Sequence, residues 1–187
     1  MTVDPVLIEV PERIVTPRLV LRPPQAGDGP ALNAAVCASQ PRLALWMPWA
    51  AVAPTLDDSE AYCRRQHAKF RLREDLVLLV LAADGSDLVG ATGLHRIDWP
   101  LRRFEIGYWL RDGREGLGYM AEAVEALVAM AFGTLVARRV EIRCDATNVR
   151  SWKVAERAGF TLEGVLRQDS ATPAGVPRDT RVYAKVG

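Results

Sequence analysis

Apolar and polar residues follow two periods along this chain, one typical of strands and one typical of helices. Alternating or continuous apolar runs predict strands at 16–23, 76–82, 87–97, 104–110, 140–144, 161–167 and 178–186. Apolar residues at helical spacing predict helices at 25–39, 55–73, 120–135 and 148–158. The predicted order is β-α-α-β-β-β-α-β-α-β-β, an α/β (α+β) fold with a mixed central sheet of about six to seven strands.

The length and the absence of linkers bear on domain organisation. The 187 residues are enough for one domain with a substantial core, and the sequence contains no repeat and no linker-like stretch. We therefore predict a single domain over 16–187, preceded by an N-terminal extension over 1–15. Pro5 and Pro11 argue against a helix in that extension.

The chain is organised around the segment 104–135, which runs from an apolar strand through a glycine-rich turn into a helix. Gly113, Gly116 and Gly118 fall within six residues of this turn. Glycines let the backbone approach a ligand closely, and the first turn of a helix offers unpaired N–H groups and a positive dipole end. A phosphate is the natural occupant. A tight strand-to-helix connection without a ligand is the alternative, and the turn alone leaves both open.

Two nucleotide-binding motifs can be compared with this turn directly. The P-loop requires Gly-Lys followed by Ser or Thr, whereas this chain has Gly118-Tyr119-Met120. The dinucleotide fingerprint G-x-G-x-x-G could accept Ala121 as its last small residue, but its strand should open a parallel unit, and this strand lies in mid-chain after other β structure. Both motifs, and with them a nucleotide-binding α/β protein, are disfavoured.

Charge and cysteine content exclude several classes of partner. The formal net charge is +1, so we expect no nucleic-acid partner and no anionic membrane surface. No apolar run approaches the roughly 20 residues of a membrane span, and the N-terminus lacks the pattern of a signal peptide. Cys37, Cys63 and Cys144 are far apart, and with two histidines they form no metal-binding spacing. We predict a reduced, cytoplasmic setting and no metal.

Three stretches together resemble a known superfamily. They are EIGYWL at 105–110, the G-x-G turn that opens a helix, and DATNVRSWKVAERAGF at 145–160. The chain resembles the GCN5-related N-acetyltransferases over residues 16 to 186, and more narrowly the branch that acetylates ribosomal-protein N-termini. The superfamily signature Gln/Arg-x-x-Gly-x-Gly/Ala corresponds to 113–118, with Gly113 in place of the leading Gln/Arg and Arg114 one position later.

The resemblance implies an acetyl-CoA-dependent N-acyltransferase that moves an acetyl group to a primary amine in a ternary complex. The acceptor would be a protein or peptide N-terminal α-amine or a small-molecule amine. A non-catalytic acyl-CoA-binding module of the same fold is the alternative, against which Glu105 and Ser151 argue. Dimers are common in the resembled family, so a homodimer is also an expectation.

The resemblance also implies a cofactor site. Strands 104–110 and 139–144 would splay apart, Gly107 would form a bulge at the gap, and the pantetheine arm would pair with the backbone there. The expected contacts with coenzyme A are Tyr108, Trp109 and Leu110 for the arm, Glu115, Gly116, Leu117, Gly118, Tyr119 and Met120 for the pyrophosphate, and Arg114 and Lys153 for further phosphate contact.

Two residues are predicted to act in catalysis. Glu105 is an acid in an otherwise apolar strand next to the expected thioester, which makes it the first choice of general base. Glu105 could instead face solvent or pair with Arg102 or Arg103, and His95 on the neighbouring strand is the rival base. The family motif Asn-x-x-Ser matches Asn148 and Ser151, which implies a cofactor contact for Asn148 and proton donation to the leaving thiolate for Ser151. Helix capping is the alternative for Asn148.

The apolar loop at 40–50 is the candidate wall of the acceptor pocket. It contains Trp46 and Trp49, whose side chains offer large contact areas at low entropic cost. His95 is placed in the same pocket. The alternative is that the loop packs on the core without contacting an acceptor.

Overall fold

The computed structural model describes residues 4–85, 87–172 and 175–187, so the first three residues of the predicted extension lie outside it. The strands are β1 (Ile14–Val15), β2 (Leu19–Arg22), β3 (Leu76–Ala82), β4 (Leu88–Asp98), β5 (Arg103–Leu110), β6 (Arg139–Asp145), β7 (Thr161–Ala171) and β8 (Pro177–Val186). The helices are α1 (Gly29–Leu43), α2 (Leu56–Leu72), α3 (Tyr119–Gly133) and α4 (Val149–Arg157), with 3-10 turns at Pro5–Leu7 and Pro48–Ala50.

The strands form one mixed sheet in the order β1-β2-β3-β4-β5-β6-β8-β7. The predicted order of elements is confirmed, and one strand is added to the predicted six to seven, giving eight within the described residues. The added strand is β1, which pairs Ile14 with Leu21 and Val15 with Val20, so the sheet begins inside the predicted extension. Two residues are too few for an alternating pattern to mark a strand in the sequence.

Both faces of the sheet are covered, which explains why β3 is an unbroken apolar run. Leu78 and Val80 belong to the larger core cluster, which includes the buried face of α3, whereas Leu79 packs with residues of α1 and α2. Successive side chains of a strand point to opposite faces, so α1 and α2 lie on one side of the sheet and α3 on the other. Among the described residues, no helix has the length and apolarity to cross a bilayer.

The sheet opens between its two parallel strands. Pairing of β5 with β6 begins at Arg103 with Arg139 and ends at Ile106 with Ile142. Beyond that point β5 stays paired with β4 as far as Leu110, and β6 stays paired with β8 as far as Asp145. The two strands therefore part at Gly107, as predicted for strands 104–110 and 139–144.

The bulge predicted at Gly107 is wrong. Gly107 pairs with Gly93 in continuous register, and the irregularity between β4 and β5 falls between His95 and Asp98. The sheet opens because β5 and β6 follow their outer neighbours, without an extra residue in β5.

Side chains just before helices α1 and α2 determine where these helices begin. Thr55 caps α2 as predicted, in a capping box with Asp58. Helix α1 starts at Gly29, later than predicted, because Asp28 accepts hydrogen bonds from the Gln25 backbone and from Arg22 and holds 25–28 as a turn.

Candidate active site

Three cavities meet at Tyr108, where β5 and β6 part. Cavities of about 370, 160 and 140 Å³ are all lined by Tyr108 and by Met47 of the loop between α1 and α2. The largest lies between β5 and β6 and contains Glu105 and Ser151. The second contains His95 and Gly107, and the third extends along Leu110 to the start of α3. The three cavities therefore adjoin one another at Tyr108.

Tyr108 and Ser151 are joined by two hydrogen bonds. The Tyr108 hydroxyl donates to the Ser151 carbonyl at 2.8 Å, and Ser151 Oγ donates to the Tyr108 hydroxyl at 3.2 Å. Burial raises the pKa of Tyr108 well above its ordinary value, so the phenol stays protonated. Helix α4 positions Ser151, because the Asn148 side chain caps the helix by accepting from the Ser151 backbone N–H at 3.2 Å. The capping alternative for Asn148 is thus realised, while Asn148 also lines two of the cavities.

Glu105 faces the largest cavity and forms an ion pair. Its carboxylate accepts a hydrogen bond from Arg96 Nη1 at 2.8 Å. Glu105 therefore forms an ion pair, which was the alternative to its role as a base, but the partner is Arg96 instead of Arg102 or Arg103. Arg96 has a positive φ of 46° next to the irregularity in β4, which no sequence pattern marked.

His95 lies across Gly107 on the opposite side of the opening from Ser151. Its Nδ1 is 2.6 Å from Asp75 Oδ1, and Asp75 directly precedes β3. A methyl group placed on Gly107 would come within 3.0–3.1 Å of His95 Cδ2 and Nε2. The absence of a side chain at Gly107 is what leaves room for the imidazole edge at the parting of the strands.

The predicted phosphate turn has the geometry that phosphate binding requires. Gly113, Gly116 and Gly118 have φ of 80°, 77° and 79°, which is the left-handed region that favours glycine. Gly118 is the N-cap of α3, and within the described residues no side chain caps this helix. The first-turn N–H groups of α3 therefore remain available to an anion.

The cations near this turn are held by acids of the same region. Arg114 forms an ion pair with Asp87 at 2.5 Å, and Asp87 also binds Arg111. Arg42, at the end of α1, pairs with Asp112 and Glu115 and lines the smallest cavity. Lys153 is exposed and lies over the Trp152 ring, 6.0 Å from its centroid.

Both tryptophans of the predicted aromatic wall line cavities at the opening. Trp46 lines the two cavities next to Ser151, and Trp49 lines the cavity next to His95. Trp49 and Trp109 contact each other edge to face, with ring centroids 6.2 Å apart. The side chains of two other candidates lie elsewhere. Tyr119 stacks under Arg18, and the Met120 side chain is buried in the core, which leaves their backbones for a cofactor.

Four residues at the opening were missed by the sequence analysis. They are Asp75, Arg42, Cys144 and Arg178. Each depends on a contact distant in sequence, such as the bonds of 3.3 Å from Arg178 to the Trp46 carbonyl, 132 residues away. Burial raises the pKa of the Cys144 thiol to about 11, so it stays a neutral thiol beside Ser151.

Comparison with known proteins identifies the family. The model of the acetyltransferase (GNAT) domain matches residues 18–161, and the chain belongs to this family. YdaF of Bacillus subtilis (strain 168), which carries the name of a ribosomal N-acetyltransferase, is 32% identical over 174 residues, covering 91% of this chain and 92% of YdaF. The ribosomal-protein-serine acetyltransferase of Escherichia coli (strain K12) is 38% identical over 100 residues, about half of each chain (54% and 55%).

Solved structures agree with this assignment. The microcin C7 self-immunity acetyltransferase MccE, in complex with acetyl-CoA and AMP, superimposes with a TM-score of 0.88 at 26% identity, covering 95% of this chain and 98% of MccE. The ribosomal L7/L12 α-N-protein acetyltransferase RimL, in complex with coenzyme A, has the same fold, with a TM-score of 0.86 at 24% identity and coverage of 92% and 96%.

These findings confirm the predicted family, fold, cofactor and class of enzyme, an acetyl-CoA-dependent N-acyltransferase. The residues present suit that cofactor, because an uncapped helix start stands at the end of a cavity that leads to the parted strands. Acetyl-CoA supplies the activated acetyl thioester for transfer to an amine.

Proposed function

We propose that this chain acetylates the N-terminal α-amine of a polypeptide. The observation that carries the proposal is the parting of β5 and β6 at Gly107, with the Tyr108–Ser151 pair on one side and His95 on the other. An opening with access from both faces lets two substrates meet inside the sheet, which a ternary-complex reaction requires.

The cofactor side of the proposal rests on the smallest cavity and the glycine turn. The backbones of Tyr108, Trp109 and Leu110 are proposed to face the pantetheine arm, and the backbone of 115–120 to bind the pyrophosphate. Asn148 lines the same cavity and is proposed to contact the arm. Arg114 would have to exchange Asp87 for a phosphate, and Lys153 would reach one from an exposed position.

The acceptor side rests on the shape and charge of the largest cavity. Three acid–arginine pairs line it, and they join Glu105 to Arg96, Asp145 to Arg178 and Asp169 to Arg143. Acidic and basic side chains together suit a polypeptide terminus, which brings an ammonium group as well as backbone carbonyls and amides. The names of the Escherichia coli and Bacillus subtilis relatives, which refer to ribosomal proteins, support the same class of acceptor.

Two side chains are proposed to interact with the charged groups of the reaction, which are the incoming ammonium and the departing thiolate. Glu105 carries negative charge on the acceptor side and would hold the incoming ammonium by electrostatic attraction. Ser151 lines two of the cavities, and its hydroxyl, which donates to the Tyr108 hydroxyl in this structure, would turn to protonate a departing thiolate.

The test is cofactor-dependent thiol release with a panel of acceptors. We expect free N-terminal peptides to release thiol, and matched peptides with a blocked N-terminus to release none above the background rate. Small amines form the second arm of the panel. Acetyl-CoA binding by calorimetry without thiol release from any amine would favour the non-catalytic acyl-CoA-binding module instead.

The oligomeric state and the cellular location of the chain are also proposals. A homodimer is expected from the resemblance, and light scattering of the purified chain would test it. A cytoplasmic setting agrees with Cys37, Cys63 and Cys144 being free thiols.

A further inference from the structure

We infer that His95, oriented by Asp75, is the group that accepts the proton of the acceptor ammonium. The inference rests on the proposed function, because it requires an amine acceptor at the opening. It assigns a role to Asp75, and it moves the role of general base from Glu105 to His95.

His95 projects from the face of the sheet that α1 and α2 cover. In the β4–β5 ladder, His95 is opposite Glu105 and Gly93 is opposite Gly107. Paired residues project from the same side of a sheet, and alternate residues of a strand share a face. His95, Glu105 and Gly107 therefore share the face covered by α1 and α2, while Ile106 and Tyr108 project toward α3. An amine that enters from the α1–α2 side meets His95 directly at the parting.

Asp75 orients the imidazole of His95. Asp75 and His95 come directly before Leu76 and directly after Leu94, which are the last pair of the β3–β4 ladder. The Asp75 carboxylate is 2.6 Å from Nδ1, so Nδ1 carries the proton and Nε2 keeps its lone pair. Gly93 and Gly107 make room for the ring, since a methyl group on either would come within about 3 Å of it. The free Nε2 edge faces Gly107 in the cavity of about 160 Å³.

The other titratable groups around His95 are either protonated or engaged by a partner. Burial raises the pKa of Tyr108, and desolvation together with the charge of Asp75 raises the pKa of the partly exposed Tyr62 to about 12, so both phenols stay protonated. Glu105 has one oxygen engaged by Arg96, which is itself largely exposed to solvent. Asp75 is directed at Nδ1. The titratable groups that line the cavity of about 160 Å³ are Tyr62, His95 and Tyr108, so the Nε2 lone pair is the available proton acceptor in that cavity.

The proposed step is a simple proton transfer. An N–H bond of the ammonium breaks, the amine nitrogen keeps the electron pair for attack, and the proton forms a new N–H bond at Nε2. The Asp75 carboxylate stabilises the resulting imidazolium, which afterwards returns the proton to water. Asp75 is therefore a positioning residue that acts through His95.

The experiment compares His95→Gln, Asp75→Asn and Glu105→Gln with His67→Gln as the matched control. His67 is the other histidine of the chain, and its Nδ1 lies 2.9 Å from the Pro24 carbonyl. Three properties are measured. They are kcat and KM for a peptide acceptor across pH, acetyl-CoA affinity by calorimetry, and the imidazole proton resonances of the protein without ligands.

We expect His95→Gln to lower kcat by on the order of 100-fold while acetyl-CoA affinity stays within about twofold. Asp75→Asn should move the acidic limb of the pH profile to lower pH, because a neutral amide no longer stabilises the imidazolium. The resonance of the His95 Nδ1 proton should move in the same variant, because the carboxylate that accepts its hydrogen bond is gone, and this readout needs no catalysis. Glu105→Gln should raise the acceptor KM and keep kcat within a few-fold, and His67→Gln should match the wild type.

The outcomes separate this inference from the proposed function. Wild-type turnover that survives in His95→Gln, or a pH profile and a His95 Nδ1 proton resonance unmoved by Asp75→Asn, would overturn the role of the pair alone. A collapse of kcat in Glu105→Gln with normal kcat in His95→Gln would return the role to Glu105. No transfer by the wild-type enzyme to any amine would overturn the proposed function and this step with it.

Discussion

At the scale of single residues, Tyr108 is a side chain that the three cavities at the opening share. It lines all three cavities, and its hydroxyl satisfies the Ser151 carbonyl at 2.8 Å while accepting from Ser151 Oγ. A buried hydroxyl needs such partners, since an unpaired polar group costs about 1–3 kcal/mol. Tyr108 therefore serves stability and also fixes the position of the one hydroxyl proton proposed to act in the reaction.

Ser151→Ala and Tyr108→Phe should separate these two contributions. Ser151→Ala removes a proton donor but keeps both backbone bonds, so we expect kcat to fall about tenfold or more with the free energy of unfolding nearly unchanged. Tyr108→Phe leaves the Ser151 carbonyl without this donor, so the free energy of unfolding should fall by about 1–3 kcal/mol. Steady-state kinetics and urea denaturation are the measurements. An unchanged kcat in Ser151→Ala would exclude Ser151 as a proton donor.

Individual site residues were predictable where a local motif marked them. Ser151 and Asn148 follow from a four-residue pattern, and Gly118 follows from a strand–turn–helix order. The partners were not predictable, because they are set by register and by contacts between distant segments. Asp75 meets His95 through the β3–β4 ladder, and Arg96 reaches Glu105 at an irregularity in β4.

At the scale of elements, the position of α3 relative to β5 is what makes the start of α3 the proposed pyrophosphate site. The strand ends at Leu110, the turn carries three glycines with positive φ, and α3 begins at Tyr119 without a side-chain cap among the described residues. The strand, the glycine turn and the helix could be predicted from periodicity alone. The bulge at Gly107 could not be judged that way, because a bulge is a property of the pairing between two strands.

Gly118→Ala tests the turn, with Gly133→Ala at the other end of α3 as its matched control. An alanine at φ 79° costs about 1–2 kcal/mol, so relaxation of the turn should weaken acetyl-CoA binding severalfold and lower stability. Gly133 is helical and has open space around its Cβ position, so alanine there should be neutral or stabilising by about 0.5 kcal/mol. Calorimetry with acetyl-CoA and thermal denaturation report both effects. Equal affinities in the two variants would show that the turn does not bind the cofactor.

At the scale of the whole molecule, the opening lies between two parts of the sheet that share few hydrogen bonds. Strands β5 and β6 exchange only the pairs from Arg103–Arg139 to Ile106–Ile142. Arg178 of β8 provides a second connection across the opening. It donates to the Trp46 carbonyl in the loop between α1 and α2, and it lies 3.6 Å from Asp145. The largest cavity, which is the proposed acceptor site, is therefore closed partly by a contact between the first and last thirds of the chain.

Arg178→Gln should loosen this connection, and Arg143→Gln is the matched control. Both arginines line the largest cavity and pair with an acid, but Arg143 binds Asp169 instead of the loop. Removing Arg178 leaves the nearly buried Asp145 carboxylate without its cation, so the free energy of unfolding should fall by roughly 2–3 kcal/mol. Amide hydrogen exchange at 44–50 should accelerate in Arg178→Gln, and the acceptor KM should rise. Equal exchange at 44–50 in the two variants would show that the loop is held in place by its own packing, and the acceptor cavity would then not depend on Arg178.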